Sequence, residues 1–235
     1  MALQEGDFIR LRYTGSIGEA VFDTTDEESA KEGGIHNPWA EYGPATIRLG
    51  SHHIVIGLED DLIGKEVGDG GEVDVPPEKA FGAHDEKFVR SIQVTQFSEK
   101  PKKGERVKVD GDEGLVVDVI GRRAVVDFNH PFAGKTLHYT YEILEKVDDP
   151  VDQIEGLIRL YSGRTDIGVT IDDGTAELAL PPAIIYDRRW MTWRSTLVRE
   201  ILEYYPEIEN VVLKETFPRV VEPKDEPDTP EPAEE

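Results

Sequence analysis

Apolar positions change period several times along this chain, and each change marks an element. Leu58, Leu62 and Ile63 recur at helical spacing with Glu59, Asp60 and Asp61 between them. Gly64 stands where a C-terminal glycine ends a helix. The pattern predicts about two helical turns lying on a sheet. After the turn at 67–71, Val73 and Val75 alternate with Glu72 and Asp74 as in a half-exposed strand, until Pro76 and Pro77 end the pairing. Leu137, Tyr139, Tyr141 and Ile143 share one face of a later strand, and Asp7 to Tyr13 has the same character.

Residues 14–22 read as a tight hairpin with Gly15 and Gly18 at the turn and Ala20, Val21 and Phe22 entering a second strand. Residues 26–45 carry charges, glycines, prolines and isolated aromatics, which predicts a long surface loop with one helical turn at 27–32. Trp39 and Tyr42 either pin this loop or lie at a pocket rim, and pinning is the preferred reading. Strands follow at Ser91–Phe97, Arg106–Val109, Gly114–Val119 and Ala124–Phe128. A third region holds a helix at Val151–Ser162, strands at 168–171 and 176–180, and a second helix. In that helix Trp190, Trp193, Leu197, Ile201, Leu202 and Tyr205 form an apolar stripe ended by Pro206. A last strand is expected at Glu209–Phe217. Residues 221–235 are rich in proline and acid, too polar to bury a core, and are expected to be disordered.

With 235 residues and 38% hydrophobic content, the chain has enough material for a real core and one or two domains. The formal charge of -23 argues against nucleic acid or a membrane surface as partner, since both are polyanions. It suits either a protein that handles sticky unfolded chains or one adapted to a salty cytoplasm. The chain has no cysteine, which excludes disulfides, thiol nucleophiles and cysteine-ligated metal and agrees with a reducing cytosol. The first residues form no apolar leader, and no segment is long enough to cross a bilayer, so a cytoplasmic location is expected. The six histidines fall in no metal-ligand spacing, and no phosphate loop or Rossmann glycine pattern is present, so neither a metal nor a cofactor is expected.

The strand at Asp7–Tyr13, the FDTT run at 22–25, the helix-to-strand stretch 54–82 and DFNHPFAGKTL at 127–137 form an ordered series. The series resembles the FKBP-type peptidyl-prolyl cis-trans isomerases, in particular their SlyD-like branch with an insert in the flap. The long loop after Asp23 and the C-terminal extension resemble the long archaeal members. The resemblance implies an α+β fold: an antiparallel β half-barrel wrapped on a short helix, a β-rich insert-in-flap domain and a C-terminal α/β domain. The boundaries implied are 1–88 with 126–148 for the isomerase domain, 89–125 for the insert, 150–220 for the C-terminal domain and 221–235 for the acidic tail.

Rotating an X-Pro bond breaks no covalent bond but loses amide resonance, at about 18–20 kcal/mol. A catalyst therefore needs a dry site that fits the twisted imide better than either planar form. The resemblance places the proline ring among Tyr13, Phe22, Ile54, Val55, Leu58, Phe81 and Tyr139, with Leu58 as the floor where many relatives carry tryptophan and Phe132 on the side facing the insert. Asp23 matches a carboxylate near the twisted carbonyl. The Val55 N–H matches the donor that orients the peptide after proline. Phe81 departs from the tyrosine many relatives carry, so one orienting hydroxyl is missing. From the residues alone, Tyr13, Val55 and Tyr139 also suit plain core packing, and Asp23 also suits a turn. The insert is implied to bind unfolded, proline-containing clients through Ile92, Val94, Phe97, Leu115, Val117 and Val119, some of which must form its own small core. Otherwise it is a decorative β-insertion. A homodimer through the C-terminal domain is the remaining expectation. The competing class is a non-catalytic holdase that retains the fold.

Overall fold

A computed structural model describes residues 1–217, and the chain divides into two compact units, Met1–Gly163 and Arg164–Glu235. The tail at 221–235 lies outside the described residues.

The first unit opens with β1 (Phe8–Ile17), β2 (Ala20–Thr24), α1 (Glu27–Glu32), β3 (Ala45–Arg48), α2 (Ile56–Leu62) and β4 (Gly70–Val75). An insert follows: β5 (Val89–Gln93), β6 (Arg106–Val109), β7 (Asp112–Ile120) and β8 (Arg123–Asp127). Then come β9 (Leu137–Lys146) and α3 (Pro150–Ser162). The main sheet is antiparallel in the order β2-β1-β9-β4, with β3 also paired to β1. Leu137, Tyr139, Tyr141 and Ile143 all turn inward from β9, as their alternation requires, and meet Leu58 and Leu62 of α2 in one core. Burying each of those leucines contributes about 1.5–3 kcal/mol. Close approach of α2 to β4 depends on Gly57, where a Cβ would lie 2.4 Å from Val75. Ile63 caps α2 with extended backbone and stays exposed, so the apolar face of the helix is narrower than its spacing suggests.

Two expectations about the first hairpin and its loop are corrected. Only Gly18 sits in the turn; Gly15 lies within β1 at a bulge, paired to Asp23 on one side and Tyr139 on the other. Tyr42 does pin the long loop. It stacks on His36 with ring centroids 5.5 Å apart, its hydroxyl accepts from the Asn37 N–H at 2.9 Å, and its carbonyl accepts from Arg159 at 2.8 Å. Trp39 does not, being 92% exposed.

The insert forms its own antiparallel sheet, β5-β8-β7-β6, over a small core of Ile92, Val109, Val116, Ala124 and Val126. The strand expected at Ser91–Phe97 ends at Gln93, because Val94–Gln96 tightens into a 3-10 turn and the Val94 N–H donates to the Arg122 carbonyl at 3.0 Å. α3 begins on a proline behind Asp149, whose carboxylate accepts from the Val151 N–H at 2.8 Å, and ends at Gly163 with φ 73°. It lies on β3 so closely that a Cβ at Gly156 would meet Thr46 at 2.4 Å.

The second unit contains β10 (Gly168–Asp172), β11 (Thr175–Leu180), α4 (Arg188–Tyr204) and β12 (Asn210–Glu215). β11 pairs antiparallel with β10 and parallel with β12, and α4 makes the crossover that parallel pairing demands. Asp187 caps α4 by accepting from the Trp190 N–H at 2.9 Å. Trp190, Leu197, Ile201 and Tyr205 are buried, whereas Trp193 and Leu202 from the same expected stripe are exposed.

Candidate active site

The β1–β2 hairpin, the turn into α2 and two aromatic-bearing loops converge on one cavity of about 460 Å³. All nine residues expected there are on its wall: Tyr13, Phe22, Asp23, Ile54, Val55, Leu58, Phe81, Phe132 and Tyr139. Phe22 packs against Phe132 and Tyr139 at ring-centroid distances of 4.8 and 5.8 Å, and Phe81 meets Phe132 edge-on at 5.5 Å. Fully buried Leu58 closes the bottom from α2.

This arrangement requires Gly15. A Cβ there would lie 2.7 Å from the Tyr139 ring and 2.8 Å from that of Phe22, so both rings fold over bare backbone. The loop before α2 is held by Glu59, a buried carboxylate that accepts the Gly50 and His52 N–H groups at 2.9 and 3.2 Å. Glu59 also bonds His52 Nδ1 at 2.9 Å. His52 takes φ 57°, a left-handed conformation unfavourable for a side-chain-bearing residue, and these bonds hold it there. His52 and His53 thereby reach the cavity wall, which the sequence reading missed. Their position next to Ile54 and Val55 was the available signal. His130 was also missed; it stacks on Phe81 at 4.1 Å.

The polar groups differ in how they are engaged. The Tyr13 hydroxyl donates to Asp23 at 3.0 Å. Burial raises the Tyr13 pKa well above that of free tyrosine, and the Asp23 charge adds to the shift. Asp23 stands at the accessible rim. Crowding by its neighbours strips water and raises its pKa, opposed by the Tyr13 hydrogen bond. Burial likewise raises Tyr139, with Asp23 again contributing. Among the described residues neither the Tyr139 hydroxyl nor the Val55 N–H has a hydrogen-bond partner, so two donors remain available beside an apolar floor. Such a site can hold an uncharged ring and orient the amide next to it.

The expected client residues of the insert take different positions. Ile92 is buried in its core, Phe97 and Val119 pack against that core, Val94 and Val117 are half-buried, and Leu115 is exposed. A bulge at Val116–Asp118 interrupts the alternation around Val117. The two crossings between insert and sheet are pinned by Asn129. Its side-chain amide donates to the Asp85 carbonyl at 2.9 Å and its amide oxygen accepts the Asp85 N–H at 3.0 Å. Asp127 bonds His84 Nε2 at 2.8 Å.

Family models match in three consecutive blocks. Residues 1–97 match the FKBP-type peptidyl-prolyl cis-trans isomerase model, 94–132 the FKBP26 IF domain and 150–218 the FKBP26 C-terminal domain. A short-type peptidyl-prolyl cis-trans isomerase of Methanocaldococcus jannaschii is 33% identical over 144 residues, 60% of this chain and 92% of the relative. SlyD of Haemophilus influenzae is 38% identical over 117 residues, covering 47% of this chain and 62% of its own. A 16 kDa FKBP-type isomerase of Escherichia coli is 33% identical over 130 residues, 52% and 82% of the two chains. The chain belongs to the FKBP-type peptidyl-prolyl cis-trans isomerase family.

Proposed function

We propose that the cavity over Leu58 catalyses rotation about X-Pro bonds in unfolded or partly folded polypeptides, and that the insert acts as a chaperone module that holds those clients. The observation that carries the reading is the pairing of an aromatic-walled, apolar cavity with two unengaged donors, the Tyr139 hydroxyl and the Val55 N–H. Planar cis and trans imides are conjugated; the twisted form has a more basic nitrogen and a carbonyl freed from resonance. A dry wall of Phe22, Phe81, Phe132 and Leu58 holds the ring while the flanking amide turns. The Val55 N–H orients the peptide beyond the proline. Tyr139 offers the hydroxyl that Phe81 lacks, and Asp23 supplies a fixed negative end near the rotating carbonyl carbon. No covalent intermediate is involved.

The domain assignment proposed is 1–88 with 126–148 for the isomerase, 89–125 for the insert and 150–220 for the C-terminal region, of which α3 belongs to the first compact unit and only the part from Arg164 on to the second. Self-association through that last unit belongs to the proposal and is supported by β12, an edge strand exposing Val212 and Leu213. A cytoplasmic location is likewise proposed, since among the described residues no helix is long and apolar enough to cross a membrane and the chain has no cysteine.

A protease-coupled assay on proline tetrapeptides tests the catalytic part. The chain accelerates trans formation, and Tyr139→Phe lowers kcat/KM by about three- to thirtyfold, the worth of one oriented hydrogen bond in a dry site. Replacing residues 89–125 by a short flap spares tetrapeptide turnover and slows proline-limited refolding of a whole protein. A chain that suppresses aggregation but never exceeds the uncatalysed isomerisation rate is a holdase, and the catalytic reading then fails.

A further inference from the structure

The catalytic reading leaves a second and larger cavity unused. It has a volume of about 770 Å³ and lies between the insert and the loop that returns from it to β9. Its apolar wall is Leu115, Phe128, Pro131 and Phe132. Phe132 also lines the cavity over Leu58, and His130, on the second wall, stacks against Phe81 of the first. One aromatic ring therefore separates the two spaces. A polypeptide advancing about 3.3–3.6 Å per residue crosses such a partition in two or three residues.

The charges of this cavity are balanced, unlike those of the whole chain. Arg106 and Lys135 face it, and among the described residues neither has a carboxylate partner. Arg90 lies 4.8 Å over the Phe128 ring, behind the wall. Two carboxylates also face the space. Both oxygens of Asp127 are occupied, by His84 at 2.8 Å and by the Asn129 amide at 2.7 Å, so a ligand's cation would find Glu113 the more available of the two. Two cations without a carboxylate partner thus line an apolar recess whose formal charges balance, on a chain of net charge -23.

We propose that this recess is a side-chain subsite of the isomerase, taking a large apolar residue with an acidic neighbour, two or three positions from the proline that occupies the cavity over Leu58. The assignment rests on the proposed prolyl site, with which it is continuous through Phe132. The occupant is the client itself. Its apolar side chain meets Leu115 and Phe128, and its carboxylate meets Arg106 and Lys135. The two cavities together select proline segments in an acidic, aromatic context.

Calorimetric binding of full-length protein to a set of synthetic peptides tests this. Each peptide carries one Leu-Pro and one Phe two or three residues away on either side, next to Glu or Lys. The global charge favours the Lys peptides at every position, so a preference for Glu reports the recess. In one arrangement the Glu peptide binds about three- to tenfold tighter than its Lys twin. That ratio falls below about twofold in R106A/K135A and inverts in R106E/K135E, while R106K/K135R retains it. Changing proline to alanine in the favoured peptide weakens binding. The proposal is overturned if Lys peptides bind as well in every arrangement, if the Glu preference survives R106E/K135E, or if proline makes no difference to the favoured peptide. Tetrapeptide turnover is measured separately; its absence defeats the catalytic reading, while the Glu-to-Lys ratio still decides the subsite.

Discussion

Asp23 shows at the scale of one residue how a proposed catalytic role and stability pull apart. Its pKa in the folded chain is raised, so the folded state binds that proton more tightly than the unfolded chain does. Its contribution to stability is complete below the ordinary aspartate pKa and is lost as pH rises through the raised one. At neutral pH the carboxylate is thus maintained at some cost to the fold. Asp23→Asn keeps an acceptor for the Tyr13 hydroxyl and removes that cost, so the variant melts above the parent at pH 7, and the difference closes as pH approaches about 4 in a series of thermal melts. The same substitution lowers kcat/KM for proline peptides by about tenfold and flattens the acid limb of its pH profile. A variant that lost stability and activity together would make Asp23 a plain turn residue. At this scale the family resemblance pointed to Tyr13, Asp23 and Tyr139, whereas strand alternation alone suited core packing for the two tyrosines and a turn for Asp23. Gly15 was not legible: it leaves room for the Phe22 ring of the hairpin and the Tyr139 ring of distant β9, and a glycine near a hairpin reads locally as a turn. Glu59 was equally hidden, since an acid between apolar helical positions looks solvated until the loop it caps is in place.

Among the elements, α3 departs most from its apparent place in the sequence. The Asp149–Pro150 start and Gly163 stop were readable as local capping chemistry, as were α1 and β6, whose bounds the pattern anticipates. Its packing partner was not readable, because contact with β3 spans more than a hundred positions. Gly156 on Thr46, the Arg159 bond to the Tyr42 carbonyl at 2.8 Å and the edge-on contact of Tyr161 with His53 at 6.0 Å join α3 to the first unit and to a residue of the cavity wall. A chain ending at Asp149 is therefore expected to melt about 5 °C or more below one ending at Gly163, because a buried helix face is lost. Light scattering on the Gly163 chain gives the mass of a monomer if association resides beyond that point. Equal melting temperatures for the two truncations would show that α3 adds nothing to the first unit.

For the whole molecule, charge is the dominant property. A net charge of -23 on 235 residues keeps chains apart and strains each compact state through self-repulsion, while the ion pairs are mostly at the surface and weak. Raising potassium chloride from about 0.05 to 1 M shortens the screening length several-fold, and calorimetry is expected to show melting temperatures rising with salt. A fall would mean that the surface pairs outweigh the repulsion. The strand order has a consequence for how the chain is made. β9 pairs with β1 on one side and β4 on the other, yet it is the last of the five strands in sequence. A ribosome therefore releases the whole insert, whose strands pair only with one another, while the principal sheet still lacks its middle member. The module proposed to hold clients is complete during synthesis before the one proposed to turn their prolines, and on that reading each newborn copy spends the interval able to grip without catalysing.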